Sequence, residues 1–375
     1  MKLFHLSDLH LGKRVNEFSM IEDQKYILKE ILTRVNEEKP DGILIAGDVY
    51  DRSVPTEDAM KLWDEFLISL AEKKVPVFAI SGNHDSAIRF SDHGPLVDVT
   101  GIHLSPVYDG NAKHFTLTDE FGEVNFYLLP FIKPATVRNV FPDEEISDYT
   151  DACRVAIEHM EVDENKRNVI LAHQFVTGAV RCESEEVVVG GLDNVDASVF
   201  DAFDYVALGH IHGKQKIGRE EVRYCGTPLK YSFSEKDHEK SITVVELLKK
   251  DEVKISEIPL VPRRDLREIK GSYADLTLKE NYENTNTEDY IHAVLTDEND
   301  VIDAIGKLRV IYPNLMKLSY DNKRTREQRV VTDATDVEQK TPLELFAEFY
   351  EKQNNSEMSS EQAAFVTECI ESIWE

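Results

Sequence analysis

The chain has 375 residues, with 43 Lys and Arg against 71 Asp and Glu, and its net charge of −28 is the opposite of the basic footprint of a protein that grips nucleic acid unaided. That length exceeds one ordinary domain and suits a catalytic unit with appendages. No apolar run approaches the ~18 residues of a membrane span, the amino terminus passes at once into a strand pattern, and Cys153, Cys182, Cys225 and Cys369 lack metal-type spacing, so the expectation is a cytoplasmic protein with reduced thiols.

In chain order, KLFHLS is a strand-like run ending at Asp8 and His10, and GILIAG ends at Asp48. VFAISG leads into Asn83, His84 and Asp85, NVILA ends at His173, and YVALG ends at His210 and His212. Each run is apolar without alternation, as in strands buried on both faces, and open α/β sheets gather ligands outside the carboxyl ends of such strands. Between the runs, Ile27, Leu28, Ile31, Leu32 and Val35 form one helical stripe, and Met60, Trp63, Leu67 and Leu70 form another. After residue 100 the pattern turns to hairpins, AKHFTL with VNFYLLP and KQKIG with VRYCG, and SITVVELL and VKISEIPL add two more strands. The fold class implied is α/β, a mixed sandwich of two sheets flanked by helices, over residues 1–262.

Beyond the linker at Pro259 and Pro262, EDYIHAVLTD reads as a strand, VIDAIGKLRVIY as a helix and LMKLSY as a strand. Together they make a small α/β cap domain over residues 263–335. Basic clusters flank its strand–helix–strand segment, Arg263, Arg264, Arg267 and Lys270 before and Lys323, Arg324, Arg326 and Arg329 after, readable as DNA contacts or as solvated linker. Residues 336–375 read as a C-terminal helical tail. Thr341-Pro342-Leu343-Glu344 has the form of a helix start, Leu345, Phe346, Phe349 and Tyr350 make an apolar stripe, and a second helix carries Phe365, Cys369, Ile370, Ile373 and Trp374, a pattern suited to a partner's groove or coiled coil.

Asp8, His10, Asp48, Asn83, His173, His210 and His212 are candidate metal ligands. Carboxylate, imidazole and amide donors without a Cys suit Mn²⁺, with Fe²⁺ or Zn²⁺ possible. For two ions ~3.5–4 Å apart one carboxylate must bridge, and Asp48, alone in its cluster, is the candidate. Two cations favour attack on phosphorus by activating water and neutralising the phosphate oxygens. His84, beside the ligand Asn83, is the candidate catalytic residue that donates to the leaving oxygen; Asp85 either orients its imidazole or caps the next helix.

These segments resemble the calcineurin-like metallophosphoesterases. FHLSDLHLGKR, AGDVYDRSVP, ISGNHDS, ALGHIHGKQ and especially YCGTPLKYSFSE are similar, more narrowly, to the SbcD nuclease subunits of bacterial SbcCD complexes. The resemblance implies a metallophosphoesterase-type sandwich. It also implies one cation on Asp8, His10, Asp48 and His212, a second on Asp48, Asn83, His173 and His210, and a catalytic His84. The implied activity is Mn²⁺-dependent DNA cleavage, exonucleolytic on duplex ends and endonucleolytic on hairpins or single strands, in DNA repair, replication and recombination. An SbcC-like ATPase would bind the C-terminal helices and supply most of the DNA affinity, and stretches near 56–72 and 86–98 would pair two copies as a homodimer within a heterotetramer. The rival reading is a stand-alone phosphoesterase acting on small phosphodiesters or phosphoproteins.

Overall fold

Strands β1 (Lys2–Leu6), β2 (Gly42–Ala46) and β3 (Val77–Ile80) are buried along nearly their whole length because each is covered on both faces. In the computed structural model, which describes residues 1–92, 94–182, 185, 193–323, 325, 343, 346–347, 350, 358–360 and 362–367, they run parallel to one another and to β4 (Ile102–Leu104). A second sheet holds β5 (Lys113–Asp119), β6 (Gly122–Leu128), β7 (Arg167–His173), β8 (Tyr205–Gly209), β9 (Gln215–Ile217) and β10 (Arg219–Tyr224). Strand β11 (Ser241–Leu247) returns antiparallel to β1 and β12 (Val253–Pro259) antiparallel to β11, which gives six-stranded sheets ordered β12-β11-β1-β2-β3-β4 and β9-β10-β8-β7-β6-β5.

The inner faces meet through Leu3, Leu44, Phe78 and Ile80 on one side and Phe126, Leu128, Val169 and Leu171 on the other. Phe78 and Phe126 stack across the interface with ring centres 4.3 Å apart. Such a pair contributes ~0.5–1.5 kcal/mol beyond the area it buries. Outside the first sheet lie α1 (Ile21–Glu38) and α2 (Glu57–Glu72), which bury Ile27, Ile31, Val35, Trp63, Phe66 and Leu70. Outside the second lies α3 (Tyr149–Glu158), through Ala152, Cys153, Val155 and Ala156. Met60 departs from the expected stripe: it is 39% exposed, and Leu62 and Phe66 take the core face.

The cap has its own core of Ile291, Ala293, Leu295, Leu308, Tyr312 and Leu315. Its sheet is all parallel, β13 (Leu266–Gly271), β14 (Tyr290–Leu295) and β15 (Leu315–Tyr320) in that order. Strand β13 corrects the linker expectation. The basic residues at the start of the cap are largely internal ties: Arg264 reaches Asp23 at 2.9 Å, Arg267 reaches Asp289 at 2.8 Å, and Lys270 pairs with Asp321. The cap helix α4 (Ala304–Arg309) is shorter than expected, because Asp303 takes a left-handed φ of 50° just before it.

Of the second basic cluster only Lys323 is described. The helix start at Thr341-Pro342 and the residues Leu345, Phe349, Cys369, Ile370, Ile373 and Trp374 fall outside the described residues; Phe346 and Phe365 are described and are 42% and 66% exposed. No described helix is long and apolar enough to cross a membrane.

Candidate metal centre

Both sheets direct the carboxyl ends of β1, β2, β3, β7 and β8 to one edge, so the sequence clusters converge there. The loops that follow are stitched together by main-chain hydrogen bonds, Asp8 N–H to Gly47 O at 3.0 Å and His10 N–H to Asp48 O at 2.9 Å. The N–H of His210 lies 3.1 Å from both carboxylate oxygens of Asp8, which ties one sheet's loop to the other's.

Asp8, His10, Asp48 and His210 all have positive φ, at 52°, 44°, 49° and 102°. Non-glycine residues hold that conformation at a cost of ~1–3 kcal/mol each and concentrate at functional sites. Glycines beside the ligands permit backbone approach that no other residue allows. A Cβ on Gly82 would fall 2.1 Å from Asp48 Oδ1, and one on Gly209 would fall 1.8 Å from Ala46 O.

Asp48 sits between the ligand groups. Its Oδ2 lies 3.3 Å from His173 Nε2, 3.8 Å from His10 Nε2 and 3.9 Å from His84 Nε2. On one side, the ligand atoms of Asp8, His10 and His212 lie within 4.8 Å of one another. On the other, Asn83 Oδ1 lies 3.0 Å from His173 Nε2 and 2.9 Å from His210 Nδ1. All seven residues named as candidate ligands therefore line one centre.

The donor chemistry fits cations. His173 Nδ1 donates to Ala46 O at 2.7 Å, so the neutral ring turns the Nε2 lone pair toward the oxygens of Asp48 and Asn83. His212 Nδ1 faces the Glu235 carboxylate at 3.2 Å, which turns its Nε2 lone pair toward His10 Nε2 at 3.1 Å. Lone pairs aimed at one another need positive charge between them. Without metal that demand falls on His173: burial opposes its charge, but Asp48 and Asp8 lift its pKa to about 9. Burial holds His10 neutral and lowers His210 to about 3, the protonation state in which imidazole ligates. Asp8 is raised to about 6 by burial and, less strongly, by Asp48; Asp48 is held well below the carboxylate range because His173 and its neighbours outweigh burial.

His84 differs from the candidate ligands. Its side chain is 20% exposed, its N–H donates to Asp48 Oδ1 at 2.9 Å, and its Nδ1 donates to Asp51 O at 3.0 Å. Nε2 is left facing the centre. Asp85 does something else: its carboxylate accepts from Gly82 N–H at 2.9 Å, Val49 N–H at 3.1 Å and Tyr50 N–H at 2.9 Å, locking the loops after β2 and β3 together. The Asp51 carbonyl, rather than Asp85, orients the imidazole.

Glu235 has no counterpart in the sequence reading. It is fully buried and accepts from His212 Nδ1, from Lys240 Nζ at 2.5 Å and from Tyr231 N–H at 3.2 Å. A carboxylate behind a ligating imidazole fixes its tautomer and raises its basicity. It ends the segment YCGTPLKYSFSE that carries the resemblance, but the residues themselves offer only the spacing Ser232-x-x-Glu235, which reads as an ordinary helix-start box.

Residues 1–214 match the family model described as calcineurin-like phosphoesterase, and residues 262–354 match one described as the type 5 capsule protein repressor C-terminal domain. A Staphylococcus epidermidis protein named as the SbcD component of the nuclease SbcCD is 35% identical over 323 residues, which is 85% of this chain and 85% of its own. One of the same name from Staphylococcus saprophyticus is 35% identical over 323 residues, 85% of this chain and 84% of its own.

Proposed function

The chain belongs to the calcineurin-like phosphoesterases and, within them, to the SbcD nuclease-subunit family, and from this membership we propose that it cleaves DNA phosphodiester bonds with two divalent cations, Mn²⁺ in the first instance. The observation that carries the proposal is the position of Asp48, one carboxylate oxygen facing both groups of ligands. Asp8, His10, Asp48 and His212 would hold one cation, and Asp48, Asn83, His173 and His210 the other. When bound, the pair supplies a nucleophile from water near neutral pH and charge neutralisation at the phosphate.

The chain's own residues set the geometry around that chemistry. Asp85 fixes the loops that carry Asp48 and Asn83, so the ligands are in place before substrate arrives. Glu235 holds His212 in its ligating tautomer. His84, anchored through Nδ1 on Asp51 O, presents Nε2; in the doubly protonated ring it donates to the leaving oxygen, so it is the catalytic residue outside the ligand set.

In this reading duplex ends are degraded and hairpins or single strands opened. The chain works as a homodimer joined to an SbcC-like ATPase through residues 336–375, and that partner supplies the positive surface a −28 chain lacks. Exposed Ile68, Ile88 and Leu96, at 57%, 72% and 74%, support pairing of copies through α2 and the segment after β3. The test is cleavage of an end-labelled hairpin duplex by the purified chain with Mn²⁺, with and without an SbcC-like partner and ATP, beside bis(p-nitrophenyl) phosphate. DNA cutting enhanced by the partner is expected; hydrolysis of the small diester alone under every condition would leave a phosphoesterase and remove the DNA assignment.

A further inference from the structure

Beside His210 and Asn83 lies a cavity of about 140 Å³. At ~30 Å³ per water it has room for about five waters, and so for one planar ring system. Its walls carry the aromatic rings of Phe131 and Phe175. Both rings are held in place: Arg181 lies over Phe175 at 3.5 Å from the ring centre and is itself fixed by Asp193 at 2.6 Å, while Phe131 meets His173 edge-on with ring centres 6.3 Å apart. Lys133 stands at the exposed rim.

Gln174 points to what fills the space. It follows the ligand His173 directly, lines the cavity, is only 1% exposed, and uses its Nε2 to donate to Ile132 O at 3.0 Å. Its Oε1 is buried and finds no donor. A buried amide oxygen without a partner is costly, and native proteins rarely keep one unless a ligand or water completes it. The occupant should therefore present an N–H edge, a flat apolar face to the rings, and an attached anion reaching toward the cations.

We propose that this cavity is a nucleobase subsite, which receives the base next to the scissile phosphate after that nucleotide leaves the helical stack. The inference rests on the DNA-cleaving reading above. Phe131 and Phe175 stack on the base, which any base permits, and Gln174 Oε1 accepts from its edge N–H. Lys133 meets the neighbouring phosphate. Turning out a nucleotide is easiest at an end, a hairpin tip or a single strand, so the subsite favours those substrates over continuous duplex.

The test uses the full chain with Mn²⁺ and two sets of labelled single strands, intact or carrying a tetrahydrofuran abasic residue on either side of the cleaved bond. Base stacking on aromatic walls corresponds to a fall of about 5- to 150-fold in kcat/KM for the abasic strand in one of the two positions. In Phe175→Leu the intact strand should be cut more slowly and the difference between the strands should shrink toward unity. Equal cleavage of intact and abasic strands by the wild-type chain overturns the subsite and leaves the DNA reading standing, and this comparison needs no variant to fold. Failure to cut either strand while bis(p-nitrophenyl) phosphate is hydrolysed removes the DNA reading and the subsite with it.

Discussion

Replacing Glu235 by Gln keeps the side chain's shape and removes its charge, which separates two contributions of one buried carboxylate. The first is to the metal centre. His212 Nδ1 loses an anionic acceptor 3.2 Å away, and loss of such a partner behind a ligand weakens metal affinity ~10–100-fold. The second is to the fold. Lys240 is 8% exposed and would be left without its counter-ion 2.5 Å away; breaking a buried pair from one side costs about 3–5 kcal/mol, or about 6–20 °C in the unfolding midpoint. Burial disfavours the Glu235 charge, but the contacts to His212 and Lys240 outweigh it and hold the carboxyl well below the usual range. Its stabilisation is thus complete above the unfolded pKa of ~4.3 and is lost as pH falls below it, a dependence that E235Q should flatten. Mn²⁺ titration by calorimetry and thermal melts between pH 3 and 7 measure both effects. The double variant E235Q/K240M should recover much of the stability and none of the metal affinity, because both charges are gone while His212 still lacks its carboxylate. Wild-type Mn²⁺ affinity in folded E235Q would refute the reasoning.

His84→Ala should retain two cations by metal analysis and lose ~10²–10⁴-fold in turnover, whereas Asp48→Ala should lose both; full activity in the first would remove His84 from the mechanism. Gly209→Ala should disrupt the centre without replacing a candidate ligand, because its Cβ would fall 1.8 Å from Ala46 O and 2.7 Å from His173 Nδ1; an unchanged Mn²⁺ affinity would show that the loop can move aside. Deleting residues 336–375 should spare Mn²⁺-dependent cleavage and abolish pulldown of an SbcC-like ATPase, and retained pulldown would locate docking elsewhere.

The candidate centre was legible because its candidate ligands follow strands buried on both faces, where apolar runs end abruptly in Asp, Asn or His. What escaped depended on contacts between distant segments. Strand β13 carries Arg267 and Lys270 and so read as DNA contacts or as solvated linker, yet their partners Asp289 and Asp321 lie on other cap segments, and that of neighbouring Arg264, Asp23, lies in α1. Glu235 was hidden by a local spacing with an ordinary explanation, and only the fold brings it behind His212. Asp85 sits next to His84 in sequence, but its carboxylate is drawn to three main-chain N–H groups instead of the ring. Phe90, an aromatic residue within the stretch expected to pair copies, is 5% exposed and belongs to the core. Helical periodicity placed Met60 inward, whereas the helix turns Leu62 and Phe66 to the sheet.

Anomalous diffraction from crystals grown with Mn²⁺ tests the centre most directly. Two peaks ~3.5–4 Å apart are expected, both within ligating distance of the Asp48 carboxylate, one beside Asp8, His10 and His212 and the other beside Asn83, His173 and His210. A single peak, or two that do not share Asp48, would contradict the bridging role on which the proposed chemistry depends.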